Sequence, residues 1–433
     1  MFNEMVLIVL LVALIICIFF GMPIGFSLGV SALCSLASWG SVPLKLMVQR
    51  MFTGIDSFPL MAIPFFMLAG ELMFSGGMLT RLFKFADALV GHIRGGLGHV
   101  NIVASMLFAG ITGSALADTA ALGSMEIPMM VEGGYDVDYS AAITAASSIV
   151  GPIIPPSIPM VIYAVAAGNV SIAALFLAGA IPGILIGVAM MIYNYIVSLK
   201  RNYPRRETRI TLMEFIRIFR RAILVLMMPI IILGGILSGI FTPTEASAVA
   251  VAYAVIVGFF VTHELDFKGL ARALLNSGIG SGVVLVVVGM SSIVSWILAT
   301  QQVPQIAANF FLSLTDNPFI YLLCVNALLL FLGCFMDPTP AIILVTPILT
   351  PIAIALGIDP LHFGLVVVIN LIIGLITPPV GLCLFIACGI AKISLERISK
   401  AVLPFVLVEI AVLFLITYVP SICLFLPKLL GYD

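Results

Sequence analysis

Charged residues are scarce in this chain, and their scarcity excludes most classes of protein. Only 9% of the 433 residues are Asp, Glu, Lys or Arg, whereas 62% are hydrophobic. An ordinary soluble domain has about 25% charged residues. A chain of this composition cannot cover a globule with polar surface, so it is predicted to be an all-α polytopic membrane protein. No polar stretch is long enough for a soluble domain, so catalytic or nucleotide-binding modules are absent or lie on partner chains.

Several motifs are missing as well. The seven cysteines stand singly in apolar surroundings without C-x-x-C spacing, which indicates small hydrophobic residues rather than metal ligands or disulfides. The sequence contains no G-x-x-x-x-G-K-[ST] loop, no H-E-x-x-H and no nucleophile paired with a base. We therefore expect neither an enzyme, nor an organic cofactor, nor nucleic-acid binding. No basic segment precedes the first apolar run, so no cleavable signal peptide is predicted.

Apolar segments of about 20 residues, the length of a membrane-spanning helix, recur along the whole chain. We predict about ten transmembrane helices and two re-entrant hairpins, the hairpins at 97–131 and 319–356. The helices are predicted at 5–21, 23–40, 58–77, 140–168, 171–199, 222–240, 246–262, 279–300, 362–391 and 401–426. Double prolines interrupt 140–168 and 362–391, which predicts two broken helices.

A duplicated segment organises these elements. Four landmarks recur in the same order: Asp118, Pro128, Gly134 and Pro155 in copy one, and Asp337, Pro347, Gly357 and Pro378 in copy two. The Asp-to-Pro interval is 10 residues in both copies, and the Gly-to-double-Pro interval is 21 in both. A four-residue insertion near Pro351 joins the two blocks in this alignment.

The chain divides into four predicted regions. They are N-terminal scaffold helices with an interfacial amphipathic segment (1–57), a first repeat (58–199), a basic cytoplasmic loop (200–221) and a second repeat (222–433). Basic residues mark the cytoplasmic face, and one orientation leaves only Lys45, Arg50 and Lys428 of the 19 basic residues outside. Counting crossings then places the hairpins at opposite faces and both termini outside. The copies are therefore predicted to be inverted repeats, as in many secondary transporters.

The breaks predict a chemistry. Irregular backbone in the hydrocarbon layer is tolerated only where it is buried in protein or lines a polar cavity. Proline frees carbonyl groups one turn earlier, so the first half-helix presents oxygens with partial negative charge, which suit a cation. The second half-helix begins with unpaired N–H groups, which suit a carboxylate. Each break, together with a hairpin tip, is predicted to bind Na⁺ beside an anionic substrate.

Site residues follow from this pairing. Oxygen-rich surroundings without histidine favour Na⁺ over a transition metal, and an aspartate within a membrane segment is a functional candidate. The first predicted Na⁺ site comprises Ser114, Asp118, Gly151, Ile154 and Ser157. The second comprises Gly333, Asp337, Thr339, Gly374, Thr377 and Val380. Substrate contacts are predicted at Ser157, Asn169 and Thr377. Alternatively, the two aspartates only cap the second arms of the hairpins.

The remaining buried-segment polar residues are interpreted structurally. The glutamates in apolar segments are predicted to be hydrogen-bond partners between helices rather than proton relays: Glu71, Glu126, Glu245 and Glu409. The histidines share no ligand spacing and fall at predicted interfaces, so they are interpreted as surface groups: His92, His99, His263 and His362.

Three motifs carry a family resemblance. They are DSFPLMAIPFF at 56–66, GSALADT at 113–119 and IIPPS at 153–157. Together with the double copy they resemble the large membrane subunit of the tripartite ATP-independent periplasmic (TRAP) transporters over essentially the whole chain. The resemblance implies a symporter of the bacterial inner membrane, driven by two or more Na⁺ ions and carrying an organic acid of the C4-dicarboxylate or sialic acid class.

The resemblance also implies an elevator movement and two partners. The partners are a small four-helix membrane subunit, expected as a separate chain, and a periplasmic substrate-binding protein that delivers the small carboxylate; membrane lipids surround the assembly. A periplasmic N-terminus agrees with members that carry the small subunit fused there. The alternative is a stand-alone anion/cation exchanger of the same superfamily that needs no binding protein.

Overall fold

Helices form all the regular secondary structure in the part of the chain that the structure describes. This computed structural model describes residues 4–40, 42–205, 210–314 and 317–432. The first helices are α1 (Glu4–Phe19), α2 (Ile24–Trp39), α3 (Lys45–Ile55), a 3-10 turn (Phe58–Met61), α4 (Ala62–Ser75) and α5 (Met78–Val90). The predicted all-α class is confirmed.

Copy one of the duplication is a hairpin, a broken helix and a long helix. Its elements are α6 (Gly96–Thr112), α7 (Ala115–Glu132), α8 (Val137–Ser148), α9 (Ile158–Ala167) and α10 (Ile172–Lys200). The connecting region comprises α11 (Leu212–Leu237), α12 (Pro243–Ile256) with a π-helical extension (Val257–Thr262), α13 (Phe267–Thr300) and α14 (Val303–Leu314).

Copy two repeats the order of elements. They are α15 (Pro318–Gly333), α16 (Pro338–Ala355), α17 (Pro360–Gly374), α18 (Leu382–Ala391) and α19 (Leu395–Tyr418), followed by a short α20 (Ser421–Leu429). The predicted hairpins are α6–α7 and α15–α16, and the predicted broken helices are α8–α9 and α17–α18. Both double prolines lie in the breaks and contain a cis peptide bond.

Local sequence explains where these helices begin. Ser114, Ser157 and Ser171 each accept a hydrogen bond from the backbone N–H three residues later, which caps α7, α9 and α10. In copy two, Asp337 and Asp359 accept from the N–H two residues later and are each followed by proline at the first helical position. Proline is well tolerated there because that N–H has no partner within the helix.

The structure corrects the alignment of the copies. The caps Ser114 and Asp337 stand 223 residues apart, and the same interval separates Pro128 from Pro351 and Gly134 from Gly357. The two double prolines keep it too. The four-residue insertion inferred from the sequence was therefore wrong. Pairing Asp118 with Asp337 created it, because matching residue types drew the alignment one helical turn away from matching positions.

Seven of the described helices are long and apolar enough to cross a membrane. They are Phe58–Ser75, Ile172–Lys200, Leu212–Leu237, Pro243–Thr262, Phe267–Thr300, Pro338–Ala355 and Leu395–Tyr418. The prediction of about ten also counted α1 and α2, which have 16 residues each, and the two broken helices. Each half of a broken helix is shorter than one span, so a pair crosses only as a unit.

The two copies pack reciprocally. The second half of each broken helix packs on the second arm of the other copy's hairpin: α9 on α16, and α18 on α7. Each first half-helix, α8 or α17, also packs on both arms of its own hairpin. Such exchange is expected of two related units that face each other, and it encloses both breaks in one core.

The amphipathic regions differ from the sequence-based prediction. The predicted basic loop at 200–221 is helical from 212 onward, where α11 carries Arg217, Arg220 and Arg221. Helices α5 and α14 were also missed. A search for long apolar runs finds only the part of a helix that is apolar on every side, so it overlooks helices with one charged or polar face.

Candidate functional site

Hairpin tip one lies directly on break one. Helix α6 ends at Thr112, and Gly113 has a φ of 62°, a conformation that glycine adopts without steric cost. A Cβ on Gly113 would lie 2.7 Å from the Pro156 carbonyl oxygen, so only glycine allows this approach. The predicted association of Ser114 with the break at 149–157 thus occurs through the neighbouring glycine.

Asp118 is the most unusual side chain in this arrangement. It lies in the first turn of α7 and is fully buried. The Thr112 hydroxyl donates a hydrogen bond to its Oδ1, whereas Oδ2 has no partner among the described residues. A Cβ on Gly151 would overlap Oδ2, so this oxygen points at the end of α8. An unpaired buried carboxylate oxygen is costly and is expected to bind a cation or a proton.

Hydroxyl groups extend this polar surface. Thr119 donates to Ser148 over 2.8 Å and also to the Ala115 carbonyl, joining α7 to the end of α8. Ser157 caps α9 by accepting from Met160 N at 3.3 Å, and its own hydroxyl donates to the Pro152 carbonyl. Of the predicted first site, Asp118 and Gly151 are in contact, and Ser157 stands at the far end of the same break.

Two other predicted residues sit differently. Ile154 is the one partly exposed residue of break one and packs against Gly183 of α10. Ser114 caps α7 and lines a cavity of about 280 Å³ that also reaches Thr112, the partner of Asp118. Across that cavity, Asn276 donates to Glu71 over 3.2 Å. The cavity is therefore an approach to the first site from the side of α4 and α13.

Hairpin tip two meets break two by backbone alone. A Cβ on Gly374 would overlap the Gly333 carbonyl carbon, so these two predicted residues are in direct contact. Gly381 N also donates to the Cys334 carbonyl over 3.4 Å. Thr377 donates to the Ile373 carbonyl over 2.8 Å, which leaves its hydroxyl lone pairs free for a ligand.

Asp337 and Thr339 belong to the helix cap. Asp337 Oδ1 accepts from Thr339 N over 2.9 Å at the start of α16. The capping alternative therefore holds for Asp337, whereas α7 is capped by Ser114 and not by Asp118. Val380 is partly exposed at the end of break two, beside Thr377 and Pro378.

Asn169 lies away from both breaks. It is exposed in the turn after α9, a helix of 10 residues that begins at Ser157. At 1.5 Å per residue this separation is about 15 Å. The structure thus does not bring Asn169 together with Ser157 and Thr377.

A polar cluster at equivalent positions escaped sequence reasoning. Ser147 donates to Asn101 over 2.7 Å and accepts from Ser105 over 2.9 Å. At the equivalent position of copy two, Asn370 donates to Asn326 over 2.8 Å. Each pair ties the first half of a broken helix to the first arm of its hairpin. The available signal was the equal spacing of Ser147 and Asn370, hidden by the misaligned copies.

The predicted roles of the glutamates and histidines hold only in part. Glu71 bonds to Asn276 of another helix as predicted. Glu245 is instead exposed in a capping box with Thr242. Glu126 and Glu409 are fully buried without a partner among the described residues. His99 and His362 are 2% and 1% exposed, so their assignment to the surface was wrong; helix ends that look interfacial in sequence are covered by neighbouring helices.

The residues of the first site fit a hard monovalent cation. Asp118 Oδ2 supplies one unpaired anionic oxygen, and hydroxyl and carbonyl oxygens surround it. No cluster of three or more His, Cys, Asp or Glu occurs among the described residues, so a transition-metal site has no support there. Two hairpins packed on two broken helices define the architecture of a secondary transporter.

Comparison with known proteins identifies the family. The family described as "Tripartite ATP-independent periplasmic transporter, DctM component" matches residues 11–422. The chain belongs to this family, the large permease component of TRAP transporters, which works with a small membrane subunit and a periplasmic binding protein. Its relatives are transporter permeases, and the chain is not an enzyme.

Individual relatives match over nearly their whole length. The sialic acid TRAP transporter large permease SiaM of Vibrio cholerae is 45% identical over 419 residues, covering 96% of this chain and 97% of that protein. The C4-dicarboxylate TRAP transporter large permease DctM of Rhodobacter capsulatus is 38% identical over 442 residues, covering 99% and 100%. The YdaH transporter of Alcanivorax borkumensis has a similar fold, with a TM-score of 0.63 at 13% identity over 86% of each chain.

Proposed function

We propose that this chain is the permease of a Na⁺-coupled symporter that carries an organic acid across the bacterial inner membrane. The observation that supports it most is the buried Asp118 carboxylate, whose Oδ2 faces the end of α8 without a protein partner. Na⁺ is cargo in this proposal. The first ion is assigned to Ser114, Asp118, Gly151, Ile154 and Ser157, and the second to Gly333, Asp337, Thr339, Gly374, Thr377 and Val380.

The substrate is proposed to carry a carboxylate. Relatives are named for sialic acid and for C4-dicarboxylates, which share that group. Helices α9 and α18 both begin at a break, where unpaired N–H groups favour an anion. We assign the substrate contacts to Ser157 and Thr377, and omit Asn169 because it lies a helix length away.

Movement is proposed to follow an elevator mechanism. The hairpins and broken helices pack reciprocally, α9 with α16 and α18 with α7, which supports their motion as one body. Helix α4 packs on α12 and α13, which are candidates for the static scaffold. The N-terminus is proposed to lie in the periplasm, because that orientation leaves the fewest basic residues outside.

Uptake into proteoliposomes tests the coupling. The permease is reconstituted with its small subunit and its binding protein, and uptake of a labelled substrate is measured under an inward Na⁺ gradient, an inward K⁺ gradient or a proton gradient. We expect accumulation only with Na⁺. Equal accumulation with K⁺, or dependence on protons alone, would refute Na⁺ coupling.

The alternative is a stand-alone exchanger of the same superfamily. The likeness to YdaH shows a shared fold only, so it leaves this reading in need of a test. Omitting the binding protein from the same proteoliposomes separates the two proposals. High-affinity uptake that persists without the binding protein would favour the exchanger.

A further inference from the structure

A basic groove lies between α5 and α11, away from both breaks. Its lining includes Arg81 and Lys84 of α5 and Arg217 and Arg221 of α11, around a cavity of about 510 Å³. Arg217 and Arg221 are four residues apart and Arg81 and Lys84 three apart, so each pair lies on one side of its helix. We call this feature the α5–α11 groove.

Aromatic packing holds the two helices of the groove together. The Phe85 ring lies 6.3 Å from that of Phe215 and 5.8 Å from that of Phe219, between ring centres. Arg81 is also fixed by an ion pair with Glu264 at 2.8 Å. The four cations therefore converge because the helices are packed, and not because one flexible segment is rich in arginine.

Positive charge in the groove is only partly balanced. Glu264 is the single carboxylate of its lining, and it already pairs with Arg81. Lys84, Arg217 and Arg221 have no ion pair with any residue in the described part of the chain. Three unpaired cations around one cavity favour a multiply oxygenated anion such as a phosphate group.

Exposed apolar side chains border the same cations. Met213 is 71% exposed and Ile216 46% exposed, and both line a second cavity with Arg217, Arg220 and Arg221. Helix α11 then continues as an apolar, membrane-spanning segment. Basic residues interleaved with exposed apolar ones at the end of a membrane helix are typical of a segment lying in the headgroup layer.

We propose that the α5–α11 groove binds the headgroup of an anionic phospholipid. The phosphodiester lies among Lys84, Arg217 and Arg221, and the acyl chains extend along the exposed apolar residues of α11. A free phosphate would use the cations but leave Met213 and Ile216 in water. This proposal does not depend on the identity of the transported substrate or the coupling ion.

Lipid titration followed by native mass spectrometry tests it. The permease, purified with its small subunit, is titrated with phosphatidylglycerol or zwitterionic phosphatidylcholine. The test variant is Arg217→Gln/Arg221→Gln. The control is Lys268→Gln/Arg272→Gln, which removes the same charge from a cavity that also contains Asp266 and Glu71.

We expect selective binding of phosphatidylglycerol to the wild type. Each basic residue near a lipid surface contributes enough that losing two weakens binding roughly thirtyfold. The control is expected to bind like the wild type. The proposal fails if both double variants lose the lipid equally, if neither does, or if phosphatidylcholine binds as tightly.

Two further arms exclude other ligands. Inorganic phosphate that displaces phosphatidylglycerol at equal concentration would identify a free-anion site and overturn the proposal. Cross-links from the groove to the small subunit would identify a protein interface and overturn it as well. Lipid-free thermal unfolding checks the fold of each variant. If the double variant misfolds, Lys84→Gln is used, with roughly fivefold weaker lipid binding expected.

Discussion

The two copies share a backbone plan but differ in the chemistry at equivalent positions. Around tip one and break one, four side chains carry oxygen: Thr112, Asp118, Thr119 and Ser148. Their counterparts 223 residues later are apolar: Phe335, Ala341, Ile342 and Leu371. Copy one therefore surrounds its break with side-chain oxygens, whereas copy two brings Gly333 and Gly374 into direct backbone contact. Duplication supplied the interrupted helices twice, and side-chain ligation developed in one copy.

The breaks also differ in exposure. Break one is buried at every residue from 149 to 157 except Ile154. Break two exposes Pro379 and leaves Thr377, Pro378 and Val380 partly accessible. The second break is thus open to small molecules in this conformation, while the first is reached only beside its hairpin.

Asp118→Asn is expected to have the largest effect on this comparison. It keeps the size of the side chain but removes the negative charge that Oδ2 presents to the break. Losing one partner of a buried charge interaction costs about 3 kcal/mol, roughly a 100-fold loss of apparent Na⁺ affinity. Na⁺ dependence of uptake in proteoliposomes measures it. Wild-type affinity in this variant would remove Asp118 from the site.

Gly374→Ala is expected to show that copy two depends on backbone contact. The added methyl would overlap the Gly333 carbonyl carbon, and overpacking of this kind costs about 1–3 kcal/mol. Gly389→Ala, in α18 with open space around the new Cβ, is the matched control. Thermal unfolding in detergent compares them, and equal melting temperatures would mean that the contact is dispensable.

Asp337→Asn and Asp337→Ala separate capping from charge. Asparagine caps about as well as aspartate, whereas alanine loses about 1 kcal/mol of helix stability. We expect Asp337→Ala to reduce Na⁺-dependent uptake and Asp337→Asn to retain most of it. An Asn variant as inactive as Asp118→Asn would show that both aspartates act through their charge, and the contrast between the copies would fail.

Asp136 and Asp359 provide the smallest expected effect. Tyr203 donates a hydrogen bond to Asp136 and Arg201 pairs with it at 2.7 Å. Chiefly through the Tyr203 hydrogen bond, the pKa of the Asp136 carboxyl lies below its ordinary value. The group is largely exposed, so screening limits its contribution to under about 1 kcal/mol.

The sign of the pH effect follows from the lowered pKa. Asp136 stabilises the fold above the unfolded-state pKa of about 4, and this stability is lost as the pH falls through the lower folded-state value. Asp136→Asn should lower the melting temperature slightly at neutral pH and flatten its fall in acid. Asp359→Asn is the control, since Asp359 caps α17 and asparagine replaces it well. Identical pH profiles for wild type and Asp136→Asn would contradict this.

Sequence patterns located the hairpins and breaks because they depend on local chemistry. Double prolines cannot continue a helix, so the interruptions near Pro155 and Pro378 could be predicted. The contact of Gly333 with Gly374 followed from assigning each hairpin to its own break. The capping role of Asp337 was one of two predictions, and only the hydrogen bond to Thr339 decided between them.

Other features required the tertiary structure. Equivalence of Ser114 with Asp337 is set by position in the helix and not by residue type. Burial of His99 and His362, and the exposed position of Asn169, depend on which helices cover them. The α5–α11 groove exists because Phe85 packs against Phe215 and Phe219, residues far apart in the chain.

The sequence by itself determined the solvent of this protein and its architecture: apolar composition requires a membrane, and proline, glycine and the duplicated landmarks require paired interrupted helices. The tertiary structure alone decided which copy surrounds its break with side-chain oxygens, because ligation requires atoms from α6, α7 and α8 to meet. Composition and spacing report the cost of burying each residue, but not which neighbour offsets that cost.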